Sequence, residues 1–288
     1  MALAAHDWLA GTELGDRFSD VHLLHAGTRF TVYEGFDASA NRAVAIKLPV
    51  ESAASWLYDV LDHEASILAR LGSHPHVLTY YQSLRLDDGR PALVLERCGH
   101  TLYDALQDEP MSLQDAVSIG IKLAGALETA HRAGVMHGDV RPRTVLVTEF
   151  GEPTLAGFDE AVEVDAGDAR PPMHRFTPHT APELLEGGTP SPASDVYGLA
   201  STLYELVAGQ AAFRAYAGES PATVVVRVLT SPVPPILGPE VPLEISDLLT
   251  WALKSDPAER PPTPAWLAEE LARVERRLGW PRTRLLAG

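Results

Sequence analysis

The chain has 288 residues, long for one domain but short for two independent ones, and well suited to two lobes around one cleft. Apolar residues make up 45%, enough to bury a sizeable core, while a formal charge of −16 argues against nucleic acid and anionic membrane surfaces and favours basic partners. Cys98 is the only cysteine, Met1–Gly15 has no basic region ahead of an apolar run, and no run of about 18 apolar residues occurs, so disulfide, signal peptide and membrane insertion are not expected and the chain reads as cytoplasmic.

In chain order, Val21–Leu24, Phe30–Phe36 and Ala43–Leu48 read as strands, being short, β-branched or aromatic, and bounded by Gly, Asn and Asp turns. Ser55–Leu71 reads as a helix, with Leu57, Val60, Leu61, Glu64, Ile67, Leu68 and Leu71 at helical spacing. The strands Val77–Leu86 and Ala92–Arg97 follow, joined by the Asp87-Asp88-Gly89 turn. From Thr101 the pattern turns helical. Leu113–Ala133 and Ser194–Val207 each carry an apolar stripe, and further helices are expected near Pro221–Leu229, Ile245–Lys254 and Ala265–Leu278. Gly167–Pro178, rich in Pro and Gly, reads as an exposed loop. A strand-rich front and a helical back imply an α+β protein.

Six motifs recur in a telling order. Val44-Ala45-Ile46-Lys47 lies on the third strand, and Glu64 on the helix after it. His137-Gly138-Asp139 follows a long helix, then come Ala181-Pro182-Glu183, Asp195 at the opening of another helix, and Arg260 within Asp256–Pro261. Each alone is weak; together they span almost the whole chain.

In these motifs the sequence resembles the eukaryotic-type protein kinases, and most closely their bacterial Ser/Thr branch of the Pkn type, over roughly residues 16 to 278. The resemblance implies a two-lobed kinase fold: an N-terminal extension at 1–15, a β-rich N-lobe with one main helix at 16–98, a helical C-lobe at 99–278 and a C-terminal tail at 279–288. ATP is the implied ligand. Lys47, paired to Glu64, would hold its phosphates, beneath a glycine-rich loop that runs from Leu24 through Gly27 to Val32. Val32 and Ala45 would lie above the adenine and Leu146 below it, with Leu95 as gatekeeper and Glu96 to Cys98 as hinge. Asp139 would accept the substrate hydroxyl proton, with Arg141 standing where kinases carry a lysine. Leu68, His137 and Phe158 match an apolar stack, Glu183 and Arg260 a buried ion pair, and Asp195 a brace for the catalytic loop.

The pattern fails where it meets phosphate and metal. The loop His25–Val32 keeps one glycine of three, Gly27, and puts Phe30 in place of the last. The expected metal-binding Asn, five residues after Asp139, is Thr144. The expected Asp-Phe-Gly reads Gly157-Phe158-Asp159. Magnesium wants hard oxygen ligands, usually with a carboxylate, so no protein metal site is expected. Asp159 is the substitute candidate: in an extended segment it points the same way about 6–7 Å further on, at the cost of dragging Phe158 from its stack. Gly138 removes the arginine that would meet a phosphorylated loop, and Arg175-Phe176-Thr177-Pro178-His179 puts the Thr-Pro pair one residue out of register.

Two functions are expected from these residues. The first is a pseudokinase: a signalling module acting through a protein partner, with ATP bound weakly and magnesium non-essential. The alternative is a divergent active Ser/Thr kinase that recruits Asp159 or Glu160 as metal ligand. Lys47–Glu64 serves either nucleotide binding or a purely structural ion pair, and Asp139 is either the catalytic base or a relic bonded within its own loop.

Overall fold

A computed structural model of the chain describes residues 17–108, 111–164, 176–238 and 241–288. The expected extension at 1–15, and the part of the Gly167–Pro178 loop up to residue 175, lie outside the described residues. The rest forms two compact units: residues 17–73, 77–99 and 148–150 in the first, and 74–76, 100–147 and the remainder from 151 in the second.

The first unit is a five-stranded antiparallel sheet, ordered β1-β2-β3-β5-β4, from β1 (Phe18–Ala26), β2 (Phe30–Asp37), β3 (Arg42–Pro49), β4 (Tyr80–Arg85) and β5 (Pro91–Glu96). Alternation along β3 decides its two faces. Val44, Ile46 and Leu48 join Phe18, Val21, Leu86, Ala92 and Val94 in one buried cluster. Ala45 and Lys47 lie on the other face, from which Lys47 reaches Glu64 of helix α1 (Trp56–Leu71), which buries Leu57, Val60, Leu61, Glu64, Ile67, Leu68 and Leu71. β1 is longer than the expected Val21–Leu24. Of the added residues Phe18 is buried, but Ser19, Asp20, His25 and Ala26 are exposed and show no alternating apolar signal; the strand pairs with β2 through two register shifts.

The second unit is built on α3 (Leu113–Arg132), which packs against α5 (Pro192–Ala208) and α8 (Pro264–Leu278). Around these lie α2 (Leu102–Asp108), α4 (Pro182–Leu185), α6 (Pro221–Thr230) and α7 (Leu243–Ala252). Of these helices α5 begins at Pro192, two residues before the expected Ser194, α8 at Pro264, one before the expected Ala265, and α6 at the expected Pro221. Ser191-Pro192, Ser220-Pro221 and Thr263-Pro264 each place a hydroxyl cap before a proline at the first helical position. The cap accepts from a backbone N–H one turn on, and proline tolerates that position because its missing donor is not needed there.

Short strands that the helical pattern concealed also belong to the second unit. β6 (His100–Thr101), β8 (Val145–Val147) and β9 (Pro153–Leu155) form one sheet, and β7 (Val135–Met136) pairs with β10 (Val162–Glu163). They frame the loops discussed below.

Residues 279–288 dock onto the second unit. Thr283 donates its N–H and hydroxyl to the two oxygens of buried Glu275, at 3.0 and 2.6 Å. The carbonyl of Leu286 accepts from His74 Nε2 at 2.9 Å. A Cβ at Gly125 of α3 would lie 2.1 Å from that same carbonyl oxygen, so only glycine admits the segment. Among the described residues, no helix is long and apolar enough to cross a membrane.

Candidate functional site

In the first unit, strand β3 and helix α1 bring Lys47 and Glu64 together: Lys47 Nζ donates to Glu64 Oε2 at 2.6 Å, with both side chains buried or nearly so. The expected pair is therefore formed. Phe30, 7% exposed, sets its ring 4.6 Å from Lys47 Nζ, a cation–π distance. The phenylalanine packs under its loop against the lysine head. Gly27 donates its N–H to the Phe30 carbonyl at 3.0 Å, closing the hairpin tightly. A Cβ there would lie 2.6 Å from that oxygen. The glycine thus serves the turn, and its amide is spent inside the hairpin.

The adenine-facing candidates of this unit follow the sheet register. Val32 sits opposite Lys47, Ala45 opposite Leu95, and Glu96 opposite Val44. Ala45 and Leu95 are buried, whereas Leu24 is 45% exposed on β1. Glu96 is held by Thr79, whose hydroxyl donates to its carboxylate at 2.8 Å and whose carbonyl accepts its N–H at 2.9 Å. Cys98 is buried, and that burial pushes its thiol up to about 12, so it stays protonated at neutral pH.

In the second unit, the loop after β7 hangs from Asp195 at the start of α5. Asp195 accepts from the His137 N–H at 2.8 Å, the Gly138 N–H at 2.9 Å and His131 Nε2 at 2.8 Å. Burial works to raise its carboxyl, but the His131 hydrogen bond, the electrostatic pull of the two imidazoles and the Gly138 amide hold it below the usual carboxylate range. His131 was not legible as a site residue. The only signal was a histidine in the last turn of the helix preceding His137.

His137 is fully buried, which pushes its imidazole below the ordinary value. The Asp139 N–H donates to its Nδ1 at 3.2 Å, so the neutral ring carries its proton on Nε2, which donates to the Ala156 carbonyl at 3.0 Å. Phe158 packs edge-on against it, with ring centroids 4.6 Å apart. Asp139 itself is engaged within its loop. Arg141 Nε lies 2.8 and 2.9 Å from its two carboxylate oxygens.

The two positions expected to ligate metal have become a packing contact. Thr144 points its hydroxyl into the loop, 2.7 Å from the Asp139 carbonyl and 3.0 Å from that of Arg141, and accepts the Arg141 N–H at 3.1 Å. Its methyl faces Gly157: a Cβ at Gly157 would lie 2.8 Å from Thr144 Cγ2. Gly157 also sits at φ +79°, where a side chain is disfavoured. Neither residue offers magnesium a carboxylate, and the Thr144 hydroxyl is turned into its own loop, so these two positions do not fit the metal the fold implies.

The structure corrects one expectation about Asp159. Phe158–Glu160 is a turn of 3-10 helix, not an extended segment. The turn curls Asp159 back, so its Oδ1 lies 3.9 Å from where a Gly157 Cβ would be, while Phe158 keeps its place against His137. No register shift is needed to bring a carboxylate close. Among the described residues, no group of three or more His, Cys, Asp or Glu is arranged to hold a metal ion.

Gly138 is likewise fixed by its backbone. At φ +79°, a Cβ would lie 2.9 Å from the Glu160 carbonyl oxygen. Leu146, the remaining adenine-facing candidate, is half-buried on β8, between Thr101 and Thr154 in register. Beside Arg141 opens a cavity of about 410 Å³, lined in part by Tyr103, Arg143, Phe176, Thr177 and His179. His179 is held by Ser201 at 2.9 Å and Glu205 at 3.0 Å, a pair of α5 residues that sequence spacing did not mark. Below it, Arg260 NH1 and NH2 each donate to Glu183 at 2.7 Å, forming the expected ion pair.

A strand lysine paired to a helix glutamate, and a His-x-Asp loop suspended from a buried aspartate, together define a protein-kinase fold. The chain belongs to the protein kinase family: the protein kinase domain matches residues 18–272. It is 35% identical over 273 residues to the serine/threonine-protein kinase PknK of Mycobacterium tuberculosis, covering 91% of this chain and 24% of that protein. It is 34% identical over 261 residues to PkaB of Streptomyces coelicolor, covering 86% of this chain and 61% of that kinase, and 32% identical to mycobacterial PknA. The chain thus spans about a quarter of the length of the first relative and about three fifths of the others.

Proposed function

We propose that this chain is a pseudokinase: a kinase-fold regulatory module that binds ATP weakly, without needing magnesium, and acts through a protein partner. The observation that carries this reading is the contact between Thr144 and Gly157, which fills the place of two metal ligands with a methyl group and a bare backbone. Losing one preorganised electrostatic stabiliser typically costs about 10²–10³ in rate. The engagement of Asp139 by Arg141, and of Lys47 by Glu64 and Phe30, is consistent with a loop and a strand that hold themselves together without a substrate. Nucleotide would then be a conformational ligand.

The test is a thermal-shift titration with ATP, with and without magnesium, beside an assay of radiolabelled phosphate transfer to a generic basic protein. A ligand that binds only the native state at 100 times its Kd adds about 2.7 kcal/mol. Stabilisation indifferent to magnesium, with no transfer, is the expected result. Transfer that Asp139→Asn abolishes would overturn the reading.

A second reading, a divergent active Ser/Thr kinase, is favoured by one observation: Asp159 approaches the vacant ligand position through the 3-10 turn. The relatives are named serine/threonine-protein kinases, which accords with it. Under this reading ATP binding requires magnesium or manganese, and Asp159→Ala removes that requirement together with the binding.

A further inference from the structure

The chain is acidic overall, yet one face of the second unit gathers arginines. A groove of about 590 Å³ runs between α8 and the segment after it. Arg273 and Arg276 stand on the helix side; Arg282 and Arg284 stand on the other. Ala268, Ala272 and Leu285 also line it, and the one carboxylate in its lining is Glu269.

The second wall is built rather than loose. Thr283 turns inward, bonded to both oxygens of buried Glu275 and to the Ser118 hydroxyl at 3.0 Å. Its neighbours Arg282 and Arg284 are both exposed and both line the groove. Arg273 is engaged by Glu270 within α8. The side chains of Arg276, Arg282 and Arg284 make no hydrogen bond or ion pair among the described residues. Three guanidiniums thus line a groove with a small-residue floor and a single carboxylate, Glu269.

We propose that this groove binds an extended acidic segment of a partner protein. Guanidinium pairs carboxylate bidentately and is weakly hydrated, so it suits such contacts better than lysine. The helical wall from Ala268 to Arg276 is about 12 Å long, which accommodates about four extended residues. The alanines and Leu285 complement the apolar side chains between the acidic ones, a role that a bare polyphosphate leaves unfilled. The site is separate from the Lys47 and Asp139 residues, so the inference holds whether or not the protein transfers phosphate.

The experiment is fluorescence anisotropy of a labelled peptide of alternating glutamate and alanine, titrated with the whole chain. Saturable binding is expected that weakens as salt is raised and becomes at least about tenfold weaker in Arg276→Glu/Arg284→Glu. The melting temperature of that variant should match the wild type, since both side chains are exposed. Arg85→Glu, a single reversal in the first unit, should leave affinity unchanged. The proposal is overturned if the double reversal binds the peptide as well as the wild type does. It is equally overturned if inorganic polyphosphate or a single-stranded oligonucleotide of equal charge binds the groove more tightly than the peptide.

Discussion

The support beneath the catalytic loop and the turn beside it obey different rules. Beneath, Asp195 serves two backbone amides and a histidine, and Arg260 serves Glu183 together with the carbonyls of Lys254, Ala193 and Ser255. Beside it, the Thr144 hydroxyl bonds only within its own loop, to Asp139 and Arg141, and its methyl packs on Gly157. Each group in the first region has several protein partners whose burial would cost free energy if left unpaired, so its residue type is held by the fold. The Asn and Asp that kinases carry in the second would answer to a metal rather than to partners inside the chain, and a threonine and a glycine stand there instead. A residue's dependence on partners inside the chain, rather than its nearness to the active centre, decides whether it keeps its kinase identity.

The comparison can be broken by perturbing each region. The largest loss is expected from Arg260→Ala, since its side chain is 0% exposed and its removal strands Glu183 and three carbonyls. Urea unfolding should show a loss of about 3–5 kcal/mol. Gly138→Arg restores the usual kinase residue yet should destabilise by about 2 kcal/mol or more, because φ is positive and the Glu160 carbonyl blocks Cβ. A gain in stability there would mean the loop relaxes freely.

Gly157→Asp alone should cost about 1–2 kcal/mol and confer no magnesium-dependent ATP binding. Combined with Thr144→Ser, which removes the opposing methyl, it should cost less than the two single changes summed, by about 0.5 kcal/mol or more. Strict additivity would show that the methyl contact does not couple the positions.

The smallest effect is in pH. His137 and His76 both have imidazoles depressed by burial, so the unfolded chain binds protons that the folded one refuses. Their contribution to stability is complete above the unfolded value of about 6.5 and is lost as pH falls through that value towards the folded one. Thermal melts should therefore shift down on acidification below about pH 6.5, and His76→Gln should flatten that slope.

Much of this was legible in the sequence because the fold repeats its periods over long stretches. β3, α1, α3 and α5 announce themselves through alternation or helical spacing, and the pairs Lys47–Glu64 and Glu183–Arg260 followed from motif order. The 3-10 turn at Asp159 was not legible. Three residues carry no period, and only a positive φ at Gly157 sets the direction of the chain. The same holds for Phe30, whose packing against Lys47 depends on the closure of the β1–β2 turn. The caps at Ser191, Ser220 and Thr263 were present as Ser-Pro and Thr-Pro steps but lie outside any apolar stripe.

The docked segment after α8 also sets a schedule for synthesis. Gly125, Thr129 and Arg132 on α3 are covered by Leu286, Gly288 and Ala287, more than 150 residues later in the chain. A ribosome delivers α3 long before it delivers that cover. The second unit must therefore wait, with one side of its central helix wet, until the segment clears the exit tunnel, and that interval is when a chaperone would find it.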